Sequence, residues 1–360
     1  MQLVSIFAAG IAALAVNSVL DEVYFASNGK IRAVKRSTGI LTNLIDLPTD
    51  LRTPSSTSMW CNHPTLYSFD FNNGILWSIN VNTKAVTRLV GFGASASIGD
   101  GSAALSTNVK LQNPRSIAFD TKRRRLYIAE NFKVRVVDGN TGIISTFAGN
   151  GLGQSAGDGG LATLASINAI SHIFIDATFK NLYIGEMGAS KVRAVDLDTN
   201  IIRTVAGTGT SSFSGDGGQA TDATLNGPMC VFADSVTNAL YICDYFSCRI
   251  RKVDLSTGII STIAGTGTCT DSGNGGPATS ASVNQPFSLV VSTSGMLYLS
   301  GSAVFIRAIN LQANTISNYA GTGASNPGAG DGNQASSVAV PSRTDLHIAN
   351  NVLFFEDGGS

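Results

Sequence analysis

The stretch Ile202-Arg203-Thr204-Val205-Ala206-Gly207 decides the fold, because close copies of it recur along the chain. The copies end at Gly149, Gly265 and Gly321, and a degraded copy ends at Gly91, which gives intervals of 58, 58, 58 and 56 residues. Self-similarity at a fixed period of this length is the signature of a repeat architecture, such as a solenoid or a propeller.

Two further landmarks keep the same period. A Gly-Asp-Gly motif recurs as Gly99-Asp100-Gly101, Gly157-Asp158-Gly159, Gly215-Asp216-Gly217, Gly273-Asn274-Gly275 and Gly330-Asp331-Gly332. An apolar residue followed by tyrosine recurs at Tyr24, Tyr67, Tyr127, Tyr183, Tyr241 and Tyr298. Glycine adopts positive φ readily and aspartate bonds nearby downstream amides, so the Gly-Asp-Gly motif predicts a turn within a long insert.

The repeat that ends at Gly265 predicts four short strands. Segments 229–234, 240–244, 249–254 and 258–263 alternate apolar and polar residues or are β-branched, and turn residues separate them. Four antiparallel strands per repeat form the blade of a β-propeller, and we label them a to d in chain order. The sequence therefore predicts an all-β propeller with six blades and a partial further blade.

The propeller domain is predicted over residues 12–360, after an N-terminal segment 1–11. Its blades are predicted at about 12–46, 58–91, 114–149, 169–207, 228–265 and 287–321, with a partial repeat at 343–360. The apolar stretch within residues 1–16 supports two interpretations, strand a of blade 1 and a secretory signal. Under the second interpretation, residues 345–349 would supply strand a of blade 1. Under the first, the chain would be a piece of a longer repeat protein.

Composition excludes several classes of function. The chain has 360 residues, with 24 Lys+Arg against 24 Asp+Glu, and only 13% of its residues are charged. A nucleic-acid-binding protein needs a clustered excess of basic residues, which this balance does not provide. The sequence contains no nucleophile elbow, Walker loop or dinucleotide-binding glycine motif in the required strand-to-helix context.

The motifs together resemble those of the NHL-repeat family. The resemblance is carried by Asp216-Gly217-Gly218-Gln219-Ala220, by Leu240-Tyr241-Ile242-Cys243-Asp244, by Arg249-Ile250-Arg251-Lys252-Val253-Asp254 and by Thr262-Ile263-Ala264-Gly265. The Gly-Asp-Gly-Gly insert is most similar to that of teneurin ectodomains and of bacterial and protist extracellular members. The resemblance implies a propeller that serves as a binding scaffold, without implying a reaction.

Repeated charged residues favour a structural role. Arg135, Arg193 and Arg251 share one position of strand c and are expected to pair with acids that end strand b. Asp158, Asp216 and Asp331 are expected to stabilise turns, because one carboxylate per insert is too few for calcium. The family includes a zinc-dependent lyase, so His172 and His347 on strands a remain a weak alternative metal site in the central channel.

The five cysteines leave the redox compartment open. Cys243 and Cys248 flank one hairpin and could bridge it if their side chains face each other. The odd count leaves at least one thiol unpaired. The composition favours an extracellular or cell-surface location, although a cytoplasmic one stays open.

The turns between strands b and c form the predicted binding surface, together with the inserts that leave the same face. The candidate partner-binding residues are Asp70, Phe71, Phe132, Met187, Phe213, Tyr245 and Phe246. Exposed aromatic residues dominate the energetics of protein interfaces. The sequence therefore predicts a non-enzymatic scaffold that binds a protein or glycan and needs no cofactor. A metal-dependent lyase or hydrolase with a site in the channel is the alternative.

Overall fold

The computed structural model describes the strand backbones within residues 2–70, and it describes side chains over residues 75–91 and 96–321 and at a few positions from 340 to 353. Within the described residues the chain consists of β-strands, turns and two three-residue 3-10 helices, Met187–Ala189 and Ala278–Ser280. No helix in this part of the chain is long and apolar enough to cross a membrane.

Twenty-four strands form six four-stranded antiparallel sheets, each a meander in chain order. Sheets 1 and 2 contain β2 (Ile11–Asn17), β3 (Glu22–Ser27), β4 (Lys30–Lys35), β5 (Leu41–Asp46), and β6 (Thr57–Asn62), β7 (Thr65–Asp70), β8 (Ile75–Asn80), β9 (Val86–Val90). Sheets 3 and 4 contain β10 (Ser116–Asp120), β11 (Arg125–Ala129), β12 (Val134–Asp138), β13 (Ile144–Ala148), and β14 (Ile170–Ile175), β15 (Asn181–Glu186), β16 (Lys191–Asp196), β17 (Ile202–Ala206). Sheets 5 and 6 contain β18 (Pro228–Asp234), β19 (Ala239–Asp244), β20 (Arg249–Asp254), β21 (Ile260–Ala264), and β22 (Ser288–Val291), β23 (Met296–Ser300), β24 (Ile306–Asn310), β25 (Thr315–Ala320).

A seventh, smaller sheet joins the two ends of the sequence. The hairpin of β26 (Leu346–Ala349) and β27 (Val352–Phe355) follows the pattern of strands a and b. Strand β1 (Gln2–Leu3) then pairs with β27 in parallel, a pairing that the sequence did not predict. Strand β2, for which the sequence left a signal segment as the alternative, is strand a of sheet 1. The domain boundaries given above stay predictions.

Consecutive sheets pack face to face, chiefly through their first strands. Between sheets 3 and 4, the buried side chains of Tyr127, Phe147, Ile173, Leu182 and Ile184 form one cluster. The Tyr127 and Phe147 rings meet edge to face at 4.7 Å, a favourable geometry for aromatic pairs. Burying each large apolar side chain contributes about 1.5–3 kcal/mol. The predicted all-β propeller of four-stranded blades is confirmed.

The four inserts before sheets 3 to 6 each cover the outer edge of the blade that follows. In the insert before sheet 4, the Gly159 N–H donates to the Ile202 carbonyl at 2.8 Å, and the Ile202 N–H donates to the Gly160 carbonyl at 3.1 Å. The inserts before sheets 3, 5 and 6 make the same pair of bonds. Because unpaired edge strands invite aggregation, this pairing protects strand d. The central part of the insert is thus committed to the rim of the disc, whereas its first and last residues reach the turns between strands b and c.

Candidate functional site

A buried arginine in strand c ties each insert to its blade. Arg193 is 1% exposed, and its Nη2 atom lies 2.6 Å from Asp158 of the insert, while Nη1 lies 3.4 Å from Glu186 at the end of β15. Nη1 also donates to the Ser166 carbonyl at 3.0 Å. A shift of register directly before Arg193 re-aims its side chain, as bulges commonly do.

The same cluster recurs in the neighbouring blades. Its members are Arg135 with Asp100 at 2.6 Å and Glu130 at 3.5 Å, and Arg251 with Asp216 at 2.9 Å and Asp244 at 3.5 Å. The aspartate of the Gly-Asp-Gly motif therefore binds an arginine, besides lying in a turn. Asp331 lies outside the described residues. The arrangement braces the insert, and its repetition in three blades favours a structural role over a binding one.

Sheet 6 rebuilds the cluster with a residue that sequence reasoning missed. Ser300 stands where strand b of the preceding blades ends in an acid, and Asn274 stands in place of the motif aspartate. Asp271 instead lies 3.5 Å from Arg307, which also donates to the Ser282 carbonyl at 2.6 Å. Arg307 itself was the signal that could have led to Asp271. The blade keeps the arginine but lacks both usual acids, and a buried charge needs a partner.

Burial raises the pKa of Glu130 to about 7, although the hydrogen bond from Ser97 and the charge of Arg135 oppose the shift. Two carboxylates share one guanidinium, so the cluster carries a net negative charge. Glu130 is only 1% exposed, and the loss of hydration, which favours its protonated form, is the largest cause of the shift. Burial also raises the pKa of Glu186 and of Asp244.

This shift predicts how stability depends on pH. The ordinary pKa of a glutamate is about 4.5, and that of Glu130 in the folded protein is about 7. Between these two pH values the folded protein keeps a proton on Glu130 that the unfolded chain releases. The free energy of unfolding therefore falls as pH rises through this window. Glu130→Gln mimics the protonated group and is expected to reduce this loss by about 1–3 kcal/mol. Urea midpoints of both proteins at pH 5 and pH 7.5 measure it, and an identical loss in both would contradict the assignment.

The turn between β19 and β20 presents an exposed aromatic residue on a fixed support. Phe246 is 48% exposed, whereas its neighbour Tyr245 is 5% exposed, and the two rings meet edge to face at 4.9 Å. The Phe246 N–H donates to the Asn226 carbonyl at 3.0 Å. A Cβ atom added to Gly227 would lie 2.5 Å from the Phe246 ring, so the glycine at this point makes room for the ring.

Two disulfides flank this turn. Cys243 is bonded to Cys230 of β18, with the Cα atoms 5.1 Å apart, and Cys248 is bonded to Cys269 of the next insert, with the Cα atoms 5.3 Å apart. The Cys243–Cys248 bridge that the sequence left open therefore does not form. In the hairpin register Cys243 stands opposite Ile250, while Cys248 lies in the turn with a positive φ. The Cys61 side chain lies outside the described residues.

The other predicted partner-binding residues are dispersed. Phe132 and Met187 lie half-buried at the corresponding turns of sheets 3 and 4. Phe213 is half-buried, and its ring lies 3.6 Å from the Arg249 guanidinium and 4.8 Å from that of Arg251. That contact places Phe213 beside a structural arginine. Phe71 and the Asp70 side chain lie outside the described residues.

His172 lies on β14 and stays neutral, because burial lowers its pKa to about 4. Its ring lies close to the backbone of Val231 in the next sheet, which opposes the pKa shift, and its buried Nδ1 atom has no hydrogen-bond partner among the described residues. At the equivalent position of sheet 3, the Ser116 hydroxyl accepts a hydrogen bond from the Ile173 N–H of sheet 4 at 3.2 Å. Nothing is described of the His347 side chain, and the described residues contain no group of three metal-ligating side chains. The burial of His172 next to the following blade favours a packing role for this side chain over a metal site.

The chain is similar in sequence to known proteins over part of its length. No family model matches the chain. Over 246 residues it is 28% identical to Protein SUPPRESSOR OF QUENCHING 1, chloroplastic, of Arabidopsis thaliana, across 65% of this chain and 22% of that protein. Over 157 residues it is 29% identical to NHL repeat-containing protein 2 of Gallus gallus, across 41% of this chain and 21% of that protein. The chain thus spans about a fifth of the length of these curated relatives.

Solved structures share the fold. A streptogramin B lyase structure superposes with a TM-score of 0.60 at 11% identity, over 99% of this chain and 93% of that one. An auxiliary nutrient binding protein from Bacteroides thetaiotaomicron superposes with a TM-score of 0.54 at 15% identity, over 81% of this chain and 66% of that one. At these identities the likeness concerns the arrangement of the strands alone.

Proposed function

This chain is an NHL-repeat β-propeller, and from that premise we propose that it is a non-enzymatic module that binds a protein partner. The proposed binding surface is centred on the turn 245–247 of sheet 5 and is called the turn face below. The observation that carries the proposal is the exposed Phe246 ring on a support fixed by two disulfides. An anchor held in place before binding loses little conformational entropy when a partner packs on it.

Apolar surroundings support the same proposal. Met187 approaches the space beside Gly227 that Phe246 occupies, so a flexible thioether adjoins the aromatic ring. Methionine adapts its shape to a partner, and aromatic residues supply most of the binding energy at interfaces. The buried Tyr245 supports the ring from below and hydrogen-bonds Gln285, so it contributes to the turn itself.

Two disulfides also support a location. Disulfides form and persist mainly in oxidising compartments, such as the extracellular space. The pairs Cys230–Cys243 and Cys248–Cys269 join strands and loops of the folded domain. We therefore propose that the propeller works outside the cell or at its surface.

Phe246→Ala is expected to weaken binding of a captured partner at least about thirtyfold, which is the effect of losing a strong interface anchor. The thermal midpoint should change little, because half of the ring already faces solvent. Val236→Ala is the matched control, since Val236 is 80% exposed in the turn between β18 and β19, at the opposite end of the same sheet. Affinities measured by calorimetry check the prediction, and equal affinities for the two variants would contradict the proposed surface.

A further inference from the structure

At four places in the described part of the chain, the last residue of an insert lies beside a turn between strands b and c. Ala169, Gly227, Gln285 and Arg343 occupy this position at intervals of 58 residues, and all have positive φ. Their backbones support the turns: the Ala169 carbonyl accepts from the Met187 N–H at 3.0 Å, and the Arg343 N–H donates to the Gly301 carbonyl at 2.7 Å. Side chains at this position therefore belong to the turn face.

A chain of hydrogen bonds fixes these side chains next to Phe246. The Tyr245 hydroxyl donates to Gln285 Oε1 at 3.2 Å, and the Ser302 hydroxyl donates to the same oxygen at 2.8 Å. Arg343 Nε donates to the Ser302 hydroxyl oxygen at 3.2 Å. The Arg343 guanidinium lies 5.8 Å from the centre of the Tyr245 ring, whose other neighbour is the Phe246 ring. The buried Tyr245 ring thus lies between the exposed Phe246 ring and the exposed Arg343 guanidinium.

The Arg343 guanidinium has no acidic partner among the residues that the structure describes. Glu130, Glu186 and Asp244, which end strands b under the turns, are buried against the arginines of strand c. Lys133, Lys191 and Arg249, which begin or directly precede strands c, likewise lie in no ion pair within the described part of the chain. The side chains of Lys133, Lys191, Arg249 and Arg343 thus supply positive charge around these turns, although the chain as a whole is neutral, and one acid, Asp345, stands two residues after Arg343.

We propose that the turn face binds an acidic segment of a partner protein, with a carboxylate on Arg343 and a neighbouring apolar side chain on Phe246. This inference rests on the proposed function and names the chemistry of the partner. A guanidinium whose Nε is already anchored keeps its two Nη groups oriented for a bidentate carboxylate. A protein segment suits the site better than a glycan, because it supplies an acid and an apolar side chain a few residues apart.

The test uses a phage-displayed library of random 12-residue peptides, selected on the folded chain with its disulfides intact. Recovered peptides are then synthesised and titrated. The first variant is Arg343→Gln. Glutamine already occupies the equivalent position before sheet 6, as Gln285, and it has a positive φ there too. Arg124→Gln is the matched control, because Arg124 is an exposed arginine with a φ of 55° in the turn between β10 and β11, at the opposite end of the disc.

The expected result is a set of peptides that combine Asp or Glu with an aromatic or aliphatic residue. Arg343→Gln should weaken their binding about tenfold and flatten its dependence on salt, as loss of a charge-assisted bond does, while Arg124→Gln should leave both unchanged. Peptides that need Phe246 but bind Arg343→Gln equally well would overturn the acidic partner and leave the proposed function standing. Peptides indifferent to Phe246, or selective binding of neutral glycans on an array, would overturn both.

Discussion

Replacing Arg193 with alanine is expected to lower the free energy of unfolding by about 3–5 kcal/mol, because the change leaves Glu186 buried without its counter-charge. It also frees the Asp158 carboxylate, and with it the insert that covers β17. Urea denaturation followed by circular dichroism measures the loss. A loss of free energy of unfolding of this size is unusual for the substitution of a polar or charged residue.

Two further variants make the result interpretable. Arg203→Ala removes an exposed arginine of β17, which donates to Asn181, and should cost well under 1 kcal/mol. Arg193→Lys keeps the charge but cannot reach both carboxylates and the backbone carbonyl together, so it should recover only part of the stability. An Arg193→Ala protein as stable as Arg203→Ala would show that the cluster does not brace the blade.

The glycine that sets the sequence period gives the second large effect. Gly207 has a φ of 93°, and an added Cβ would lie 2.3 Å from the Ser190 carbonyl oxygen in the turn between β15 and β16. Gly207→Ala is therefore expected to cost about 3–5 kcal/mol, from backbone strain together with the forced displacement of the turn. Thermal and urea midpoints measure this cost.

Gly217 provides the matched control for this substitution. It has a similar φ of 82°, but nothing lies within 4 Å of an added Cβ. Gly217→Ala should then cost only the backbone strain, about 1–2 kcal/mol. Equal losses in the two variants would mean that conformation alone, and not the close approach of the turn, maintains the glycine at the end of strand d.

The repeat was predictable because one physical requirement recurs in every blade. Gly149, Gly207 and Gly265 each combine a positive φ with an approach of 2.3 Å between an added Cβ and a carbonyl oxygen, so only glycine fits. The alternation of apolar and polar residues fixes which face of a strand is buried, so the four strands per repeat were also predictable. These local signals determine the fold class.

Contacts between distant segments were not predictable in the same way. The parallel pairing of β1 with β27 joins two residues to the far end of the sequence, without any periodic signal. The disulfide partners depend on where side chains point, which spacing alone does not give. The edge pairing of each insert rests on a few backbone bonds that side-chain patterns do not reveal.

The candidate site was predicted in part. The turns between strands b and c were identified from topology, and Phe246 is exposed there as expected for a partner-binding residue. Tyr245 and Phe213 were assigned to the same surface from their residue type, but Tyr245 packs beneath Phe246 and Phe213 packs against arginines. Only the three-dimensional position separates an aromatic residue that supports a turn from one that projects from it.

Oxidation footprinting of the chain bound to a captured partner tests the central claim most directly. Met187 lies at the turn face, whereas Met296 begins β23 at the opposite end of the disc, and both are half-buried in the free chain. We predict that the partner slows oxidation of Met187 and leaves that of Met296 unchanged, as read by mass spectrometry. Protection of Met296 with none at Met187 would contradict binding at the turn face.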